Sequence, residues 1–189
     1  MERRRSMEVL RIPQERIGVL VGVKGSTKKD IEKRAGVKLR IGEDGEVEIT
    51  SSDPYKEYVA KEVVKAIGRG FAPDIALRLL DEEQYLKIID LKDMLATEKA
   101  IQRQKGRIIG EKGKTKRLIE ECSGAKVNVY GSTVSLIGSI EEVNLAAEAI
   151  MRLLEGKPHS VVYKFLEKGR KRMKEERIAH MWQPVVTMR

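Results

Sequence analysis

Short runs in which polar and apolar residues alternate are separated along this chain by stretches in which apolar residues recur every three or four positions. The alternation over residues 7–12, 37–41 and 46–50 predicts three β-strands, because successive side chains of a strand point to opposite faces of a sheet. Apolar residues at helical spacing fill residues 13–34 and 54–68, and closely spaced glycines break the first of these stretches in two. The predicted order is therefore strand, helix, helix, strand, strand, helix.

The sequence repeats itself at a distance of 88 positions. Repeats of about 20 to 50 residues are typical of solenoids, so two copies at this longer spacing indicate a duplicated globular module. In the second copy Ser139 and Glu142 have the spacing of a capping box at the start of the last helix. The second copy has its elements at residues 85–91, 97–109, 114–122, 127–130, 133–137 and 139–156. Identical pairs are Gly18 and Gly106, Gly22 and Gly110, Lys24 and Lys112, Gly25 and Gly113, Thr27 and Thr115, and Lys28 and Lys116.

These patterns predict an α+β fold of two modules, each with a three-stranded antiparallel sheet and three helices. The first module is assigned to residues 1–72, a short helical connector to residues 73–84, the second module to residues 85–157, and a basic helical extension with a tail to residues 158–189. The connector is too apolar for a free linker, and we expect it to pack the two modules together. Its apolar residues include Ile75, Leu77, Leu79 and Leu80.

Between the first two helices of each copy lie two glycines spaced three residues apart. Such a loop turns tightly and lets a sugar-phosphate chain approach the backbone, while the free amides of the next helix face a phosphate. Basic side chains in and after the loops would add positive charge, although a solvent-exposed helix face is the alternative for each lysine taken alone. The residues expected to contact the nucleic acid are Gly22, Val23, Lys24, Gly25, Lys28, Arg107, Gly110, Glu111, Lys112, Gly113, Lys114, Lys116 and Arg117.

Residues 17–25 read IGVLVGVKG and residues 106–113 read GRIIGEKG, and both resemble the signature IGxxIGxxGxxI of type I KH domains. Lys28 and Lys116 stand where that signature has a final apolar residue. The stretch GKTK at residues 113–116, followed by Ile-Glu, resembles the GKTKxxIE variant of the ribosome-assembly KH family related to the partner-of-Nob-one and Krr proteins.

This resemblance covers nearly the whole chain and implies two type I KH domains, whose loops clamp the backbone of about four nucleotides. It further implies binding to small-subunit ribosomal RNA near its 3′ end, together with assembly proteins such as the maturation endonuclease. Composition and spacing by themselves indicate only single-stranded nucleic acid, so a DNA-binding or messenger-RNA-binding regulator stays open as an alternative.

Charge and composition narrow the class of partner. Lysine and arginine outnumber aspartate and glutamate by 38 to 29, which gives a net charge of +9 and favours a polyanion. No apolar run approaches the roughly 18 to 20 residues of a membrane span, and no signal peptide is evident, so a cytoplasmic location is expected. One cysteine, Cys122, and two histidines, His159 and His180, give no basis for a disulfide, a metal site or a cofactor.

An enzymatic function is not indicated. The end of a phosphate-binding NTPase loop is present as Gly-Lys-Thr at residues 113–115, but that motif needs a glycine where Ile108 stands, and a helix rather than a strand precedes it. No residues suggest a catalytic triad. We therefore predict a non-enzymatic monomer that binds RNA, with ribosome-assembly or translation-factor proteins as further partners.

The helical spacing assigns a set of apolar residues to the core rather than to nucleotide contacts: Ile17, Leu20, Val21, Ile31, Ile108, Ile109 and Ile119. In the extension, Val161, Val162, Phe165 and Leu166 are expected to pack on the second module. The basic residues of the extension form either an RNA-binding arm or a solvated helix face. Residues 182–189, with Trp182, either fold back on the protein or meet a partner.

Overall fold

The structure, a computed structural model, describes residues 7–181. The basic residues 1–6 and the segment from Trp182, for which we predicted docking or a partner contact, lie outside the described residues. The first module contains β1 (Met7–Arg11), α1 (Gln14–Val21), α2 (Ser26–Ala35), β2 (Lys38–Ile41), β3 (Glu46–Thr50) and α3 (Pro54–Gly68). Asp53 caps α3 by accepting a hydrogen bond from the amide of Tyr55 at 3.0 Å, as expected for an aspartate before a helix that begins with proline.

The connector and the second module follow in the predicted order. The connector is a single helical turn, α4 (Pro73–Ala76), continued by a 3-10 turn. The second module contains β4 (Tyr85–Asp90), α5 (Glu98–Ile109), α6 (Lys114–Ser123), β5 (Lys126–Tyr130), β6 (Thr133–Gly138) and α7 (Ile140–Leu154). The extension is one long helix, α8 (His159–Met181). The predicted capping box of Ser139 and Glu142 is present at the start of α7.

Each module forms a three-stranded antiparallel sheet with its last strand in the centre, in the orders β1-β3-β2 and β4-β6-β5. One face of each sheet packs on the three helices of its module. In the first module Val47 and Ile49 point into this core with Leu20, Ile31 and Ile67. The fold prediction of two mixed helix-and-sheet modules with a C-terminal helix is confirmed.

The two modules pack against each other through the connector. Leu77 and Leu79 are buried in the core of the first module, and Ile137 from β6 of the second module belongs to the same apolar cluster. A hydrogen bond of 2.8 Å from Asn128 Nδ2 to the carbonyl of Arg69 adds a polar contact across this junction. The expectation that the connector packs the modules together is confirmed, since it lies among buried side chains of both.

The helix α8 covers the helical face of the second module, although fewer of its residues do so than predicted. Val162 and Leu166 are fully buried and Phe165 is partly buried, whereas the prediction for Val161 is wrong because 45% of it is exposed. A Cβ at Gly169 would lie 2.8 Å from Leu145 Cδ2 of α7, so this glycine allows the two helices to approach closely. Within the described residues, no helix is long and apolar enough to cross a membrane.

Candidate nucleic-acid interface

The two glycine loops have nearly the same backbone conformation. Gly22 has φ 72° and ψ 176°, and Gly110 has φ 73° and ψ 174°. This region of φ/ψ space is essentially restricted to glycine. Two residues further on, Lys24 and Lys112 adopt positive φ angles of 53° and 49°, which are uncommon for residues with a side chain. A conformation repeated so closely in both copies follows from the repeated sequence.

The two glycines of each loop are required for different reasons. A Cβ at Gly22 would overlap Oγ1 of Thr27 and lie 2.7 Å from its backbone nitrogen, and a Cβ at Gly110 would meet Thr115 in the same way. By contrast, a Cβ at Gly113 would have open space around it, so only its φ of 75° favours glycine there. The outer side of the second glycine is therefore accessible to a ligand.

The helix after each loop begins without a side-chain cap. Ser26 has the residue type of a good N-cap and from the sequence would be assigned as the cap of α2, but the left-handed Gly25 holds that position and Ser26 is the first residue of the helix. Gly113 precedes α6 in the same way, and within the described chain no side chain accepts a hydrogen bond from the first turn of either helix. Uncapped amides and the positive end of a ten-residue helix together attract an anion.

The edge strand of each sheet is attached to the helix that follows the loop. Glu120 Oε1 on α6 accepts a hydrogen bond of 2.9 Å from the amide of Val127 on β5. Glu32 on α2 does the same for Leu39 on β2, also at 2.9 Å. Equivalent contacts therefore fix the edge strand relative to the loop in both modules.

The predicted site residues fall into two groups, one around each loop, and that they contact RNA remains a prediction. In the second group Arg117 donates to the carbonyl of Lys112 at 3.0 Å, and Arg107 Nη2 donates to the carbonyl of Lys157 at 2.6 Å. Lys116 Nζ lies 3.9 Å from Glu120 Oε1, so part of its charge is balanced. The side chains of Lys112 and Lys114 are exposed to solvent beside the loop.

Most of the apolar residues assigned to the core are buried, but Ile109 is not. Leu20, Ile31, Ile108 and Ile119 are fully buried. Ile17 and Val21 are partly exposed. Ile109 is 36% exposed because it is the last residue of α5 and lies on a different face of the helix from Ile108. The prediction for Ile109 is therefore wrong, and its side chain is available as an apolar surface next to the loop.

The extension helix α8 supports the second loop from behind. Tyr163 Oη and Thr115 Oγ1 lie 2.8 Å apart and share a hydrogen bond, and His159 Nε2 lies 3.0 Å from the carbonyl of Arg107. The rings of His159 and Tyr163 meet edge to face with centroids 5.9 Å apart. Sequence reasoning did not assign these residues to the site, because the contacts join positions about 50 residues apart and no motif marks them.

The first loop has different surroundings. Arg16 donates to the carbonyls of Ile67 at 2.8 Å and Phe71 at 2.7 Å, so its guanidinium joins α1 to the end of α3. Glu15 accepts a hydrogen bond from the hydroxyl of Tyr130 in the second module, and this bond raises the pKa of Tyr130 above its ordinary value. Arg16 therefore stabilises the first module, and Glu15 joins the first module to the second.

No group of histidine, cysteine and acidic residues that could hold a metal ion is found in residues 7–181. Cys122 is buried in the second module, and this burial raises the pKa of its thiol, which disfavours the reactive thiolate. Neither a metal site nor a reactive thiol is therefore indicated next to the loops in the described residues.

Comparison with known proteins identifies the family. Residues 85–171 match a eukaryotic type KH domain of type I, the second domain of PNO1, and residues 6–66 match a KH domain. A KH domain-containing protein of Methanocaldococcus jannaschii is 47% identical over 182 residues, which are 94% of this chain and 80% of that protein. The chain belongs to the tandem KH-domain family of the PNO1 and Dim2 proteins.

Solved structures of this family have the same fold. Dim2p of Pyrococcus horikoshii is 49% identical, with a TM-score of 0.81 over 86% of this chain and 99% of that chain. In a second structure from P. horikoshii, a complex of a/eIF2alpha, aDim2p and rRNA, the matched chain is 48% identical, with a TM-score of 0.84 over 90% of this chain and 97% of that chain. The pre-rRNA-processing protein pno1 of Aspergillus fumigatus is 36% identical over 118 residues, which are 61% of this chain and 47% of that protein. The chain thus matches less than half of the fungal protein.

Proposed function

We propose that this chain binds single-stranded RNA of the small ribosomal subunit near its 3′ end, as a non-enzymatic factor in cytoplasmic subunit assembly. The observation that carries the proposal is the duplicated loop, in which an open second glycine precedes a helix without a side-chain cap. A phosphate at this position would accept backbone hydrogen bonds and gain from the positive end of the helix. In KH domains generally, the loop clamps the backbone of about four nucleotides and unstacked bases lie in a groove beside it.

The family relationship supports the ribosomal part of the proposal. One solved relative was captured in a complex with rRNA and a/eIF2alpha, and fungal relatives are pre-rRNA-processing proteins. We therefore include rRNA and an assembly or translation-factor protein as partners of this chain. The absence of an enzymatic role is supported by the second loop, which follows a helix, α5, where an NTPase loop would follow a strand.

The test is a salt titration of binding to matched oligonucleotides. Each phosphate that the protein neutralises releases counterions, so the binding constant falls as the salt concentration rises. When the logarithm of the binding constant is plotted against the logarithm of the salt concentration, about four contacts should give a slope near −3. Fluorescence anisotropy with single-stranded RNA, its DNA equivalent and the RNA duplex would measure both the slope and the preference.

A tight preference for duplex RNA, or an affinity that salt does not change, would contradict the proposal. A preference for the DNA strand would favour the alternative of a DNA-binding regulator. The same RNA with a scrambled base order is the control, because phosphate contacts alone do not distinguish sequences.

A further inference from the structure

A cavity of about 430 Å³ lies behind the second loop, between α5, the start of α6 and the first turn of α8. Its cationic lining residues are Arg103, Arg107 and Lys114, its imidazole is that of His159, and its carboxylate is that of Glu111. Within the described chain neither Arg103 nor Lys114 forms an ion pair. The cavity therefore concentrates positive charge that the folded protein leaves largely unbalanced.

The cavity adjoins the second loop on one face of α5. Residues of a helix are rotated by about 100° from one to the next. Arg103 and Arg107 border the cavity, whereas Gln102 and Lys105 border a different hollow, at the junction with the first module. Gly106 and Gly110 also line the cavity, and a Cβ placed at Gly106 would have nothing within 4 Å. A nucleic-acid backbone held by the loop could therefore reach the cavity over Gly106 without meeting a side chain.

One donor in the cavity wall lacks a partner. Arg107 Nη2 is bound to the carbonyl of Lys157, but its Nε is buried and has no hydrogen-bond partner in the described chain. A buried donor without a partner is unfavourable, and more so when the group is charged. The guanidinium of Arg107 therefore has hydrogen-bonding capacity and charge that the described chain does not fully use.

The first module lacks this arrangement. At the positions that correspond to Arg103, Arg107 and Lys114 by the repeat of 88 residues, it has Glu15, Val19 and Ser26. Glu15 is engaged with Tyr130, and α8, which forms the far wall of the cavity, packs on α6 and α7 of the second module. The cationic cavity thus belongs to the second module alone, although both modules share the loop.

We propose that this cavity binds a phosphate of the same RNA strand that the second loop clamps, one or two nucleotides outside the groove. The assignment rests on the proposed RNA-binding function and extends the second loop site, with which the cavity shares Arg107 and Lys114, to Arg103 and the start of α8. Guanidinium and ammonium groups recognise phosphodiester oxygens through charge-assisted hydrogen bonds. The aromatic rings of His159 and Tyr163 face each other edge to face, so the wall offers charge to the strand rather than a stacking platform.

The experiment compares a single-stranded tetranucleotide, selected for tight binding, with versions extended by two nucleotides at the 5′ or at the 3′ end. The wild-type protein should gain about fivefold in affinity from the extension at one end, the effect of one added charge-assisted contact. Arg103→Glu should abolish this gain and leave tetranucleotide binding within about twofold of wild type, because Arg103 is not among the residues predicted to contact RNA around the second loop. It should also reduce the salt slope for the extended RNA by about 0.7.

Lys168→Glu is the matched control, since it makes the same charge change at an exposed position of α8 that does not line the cavity. It should keep the gain, and Arg103→Ala, a milder change, should lose it with an unchanged melting temperature. Normal tetranucleotide binding without any gain from either extension would overturn the proposal and leave the RNA-binding function intact. Failure to bind the tetranucleotide at all would refute the function and the cavity assignment with it.

A free anion is the other source of the same chemistry. Inorganic phosphate, titrated at constant ionic strength into the RNA-free protein, should give no saturable binding. Saturable binding that depends on Arg103, without an extension gain, would assign the cavity to a small anion and overturn the proposal.

Discussion

The outer faces of the two sheets differ in their exposure to solvent. On β3 of the first module, Glu46, Glu48 and Thr50 are at least partly exposed. At the same positions on β6 of the second module, Thr133, Ser135 and Ile137 are all buried. The strand pairing establishes the equivalence. Thr50 pairs with Lys38 and Ile137 pairs with Lys126, and the two lysines are themselves 88 residues apart. The outer face of the first sheet is therefore open, and the outer face of the second sheet contacts the first module.

The two glycine loops have nearly the same backbone conformation, but the residues that surround them differ. The arginine on α1 of the first module holds α3, and no helix equivalent to α8 lies behind its loop in the described chain. The second loop has free cations on α5 and α6 and a supporting helix. Duplication has thus preserved the loop conformation, whereas the residues around the second loop are more cationic, so we expect the second module to provide the main RNA-binding surface.

The largest effect is expected from a charge placed on the buried sheet face. Ile137→Lys would bury an unpaired ammonium at the module junction and should reduce the free energy of unfolding by about 4 kcal/mol. Thr50→Lys, at the equivalent position of the open sheet, should change it by less than about 0.5 kcal/mol. Urea denaturation measures both values.

Limited proteolysis provides a second measurement for the same pair. The wild-type protein and Thr50→Lys should resist cleavage within residues 71–84, and Ile137→Lys should be cut there early. Equal stability of the two variants, or early cleavage of the wild-type connector into two stable halves, would show that the modules do not depend on this junction.

A smaller effect is expected at the first glycine of each loop. Gly110→Ala would place a side chain on a backbone conformation that only glycine adopts readily, and its Cβ would overlap Thr115. Because Thr115 is buried and hydrogen-bonded to Tyr163, it cannot move easily, and we expect a loss of about 3 kcal/mol in the free energy of unfolding. Gly22→Ala should cost less, because Thr27 is partly exposed and can move. Thermal or urea unfolding would measure the difference.

Gly113→Ala is the control for these variants. It meets no neighbouring atom, so it should cost only the strain of a left-handed alanine, about 1 kcal/mol. A loss at Gly113 as large as that at Gly110 would mean that the overlap with Thr115 does not matter.

The third comparison concerns RNA binding, where a smaller loss is expected than at the sheet face or at Gly110. Aspartates at both Glu111 and Lys112 keep the two glycines and place negative charge where the phosphate should lie. We expect this pair to weaken binding by more than tenfold, or about 1.4 kcal/mol, and aspartates at Val23 and Lys24 to weaken it less. Aspartate tolerates the left-handed conformation of Lys24 and Lys112 better than most residues.

Fluorescence anisotropy at one fixed salt concentration measures both loop variants, provided that each keeps the wild-type melting temperature. A greater loss from the first-loop variant would reverse the assignment of the main RNA-binding role to the second module.

The order of elements was predictable because glycine, proline and capping residues mark most boundaries in both copies. The outer sheet face was harder to predict. The turn of the second hairpin is shorter by one residue, so the spacing of equivalent residues changes from 88 in the strand before the turn to 87 in the strand after it. If a spacing of 88 is used throughout, Ile137 is compared with Ile49, which points into the core of its own module. The contact of Ile137 with the first module is then not predicted.

The candidate site was predictable only where it is local in sequence. The loops follow from their glycines and lysines, but the roles of Arg16, Thr115 and Tyr163 depend on hydrogen bonds between residues 48 to 55 positions apart. Ser26 is a good capping residue by type, yet Gly25 takes the position before the helix because only a left-handed residue can end the preceding turn. The roles of these site residues therefore depend on tertiary contacts, which residue type and local sequence do not predict.

The carboxylates of Glu32 and Glu120 have a consequence for self-association. An exposed edge strand offers unpaired amides on which another chain can add a strand, and this is a common start of aggregation. On β2 and β5 one outward amide of each strand is already held by a glutamate from the same module. An incoming strand would have to displace that carboxylate and leave it without its donor. Strand addition to β2 and β5 is therefore disfavoured at the position of each glutamate.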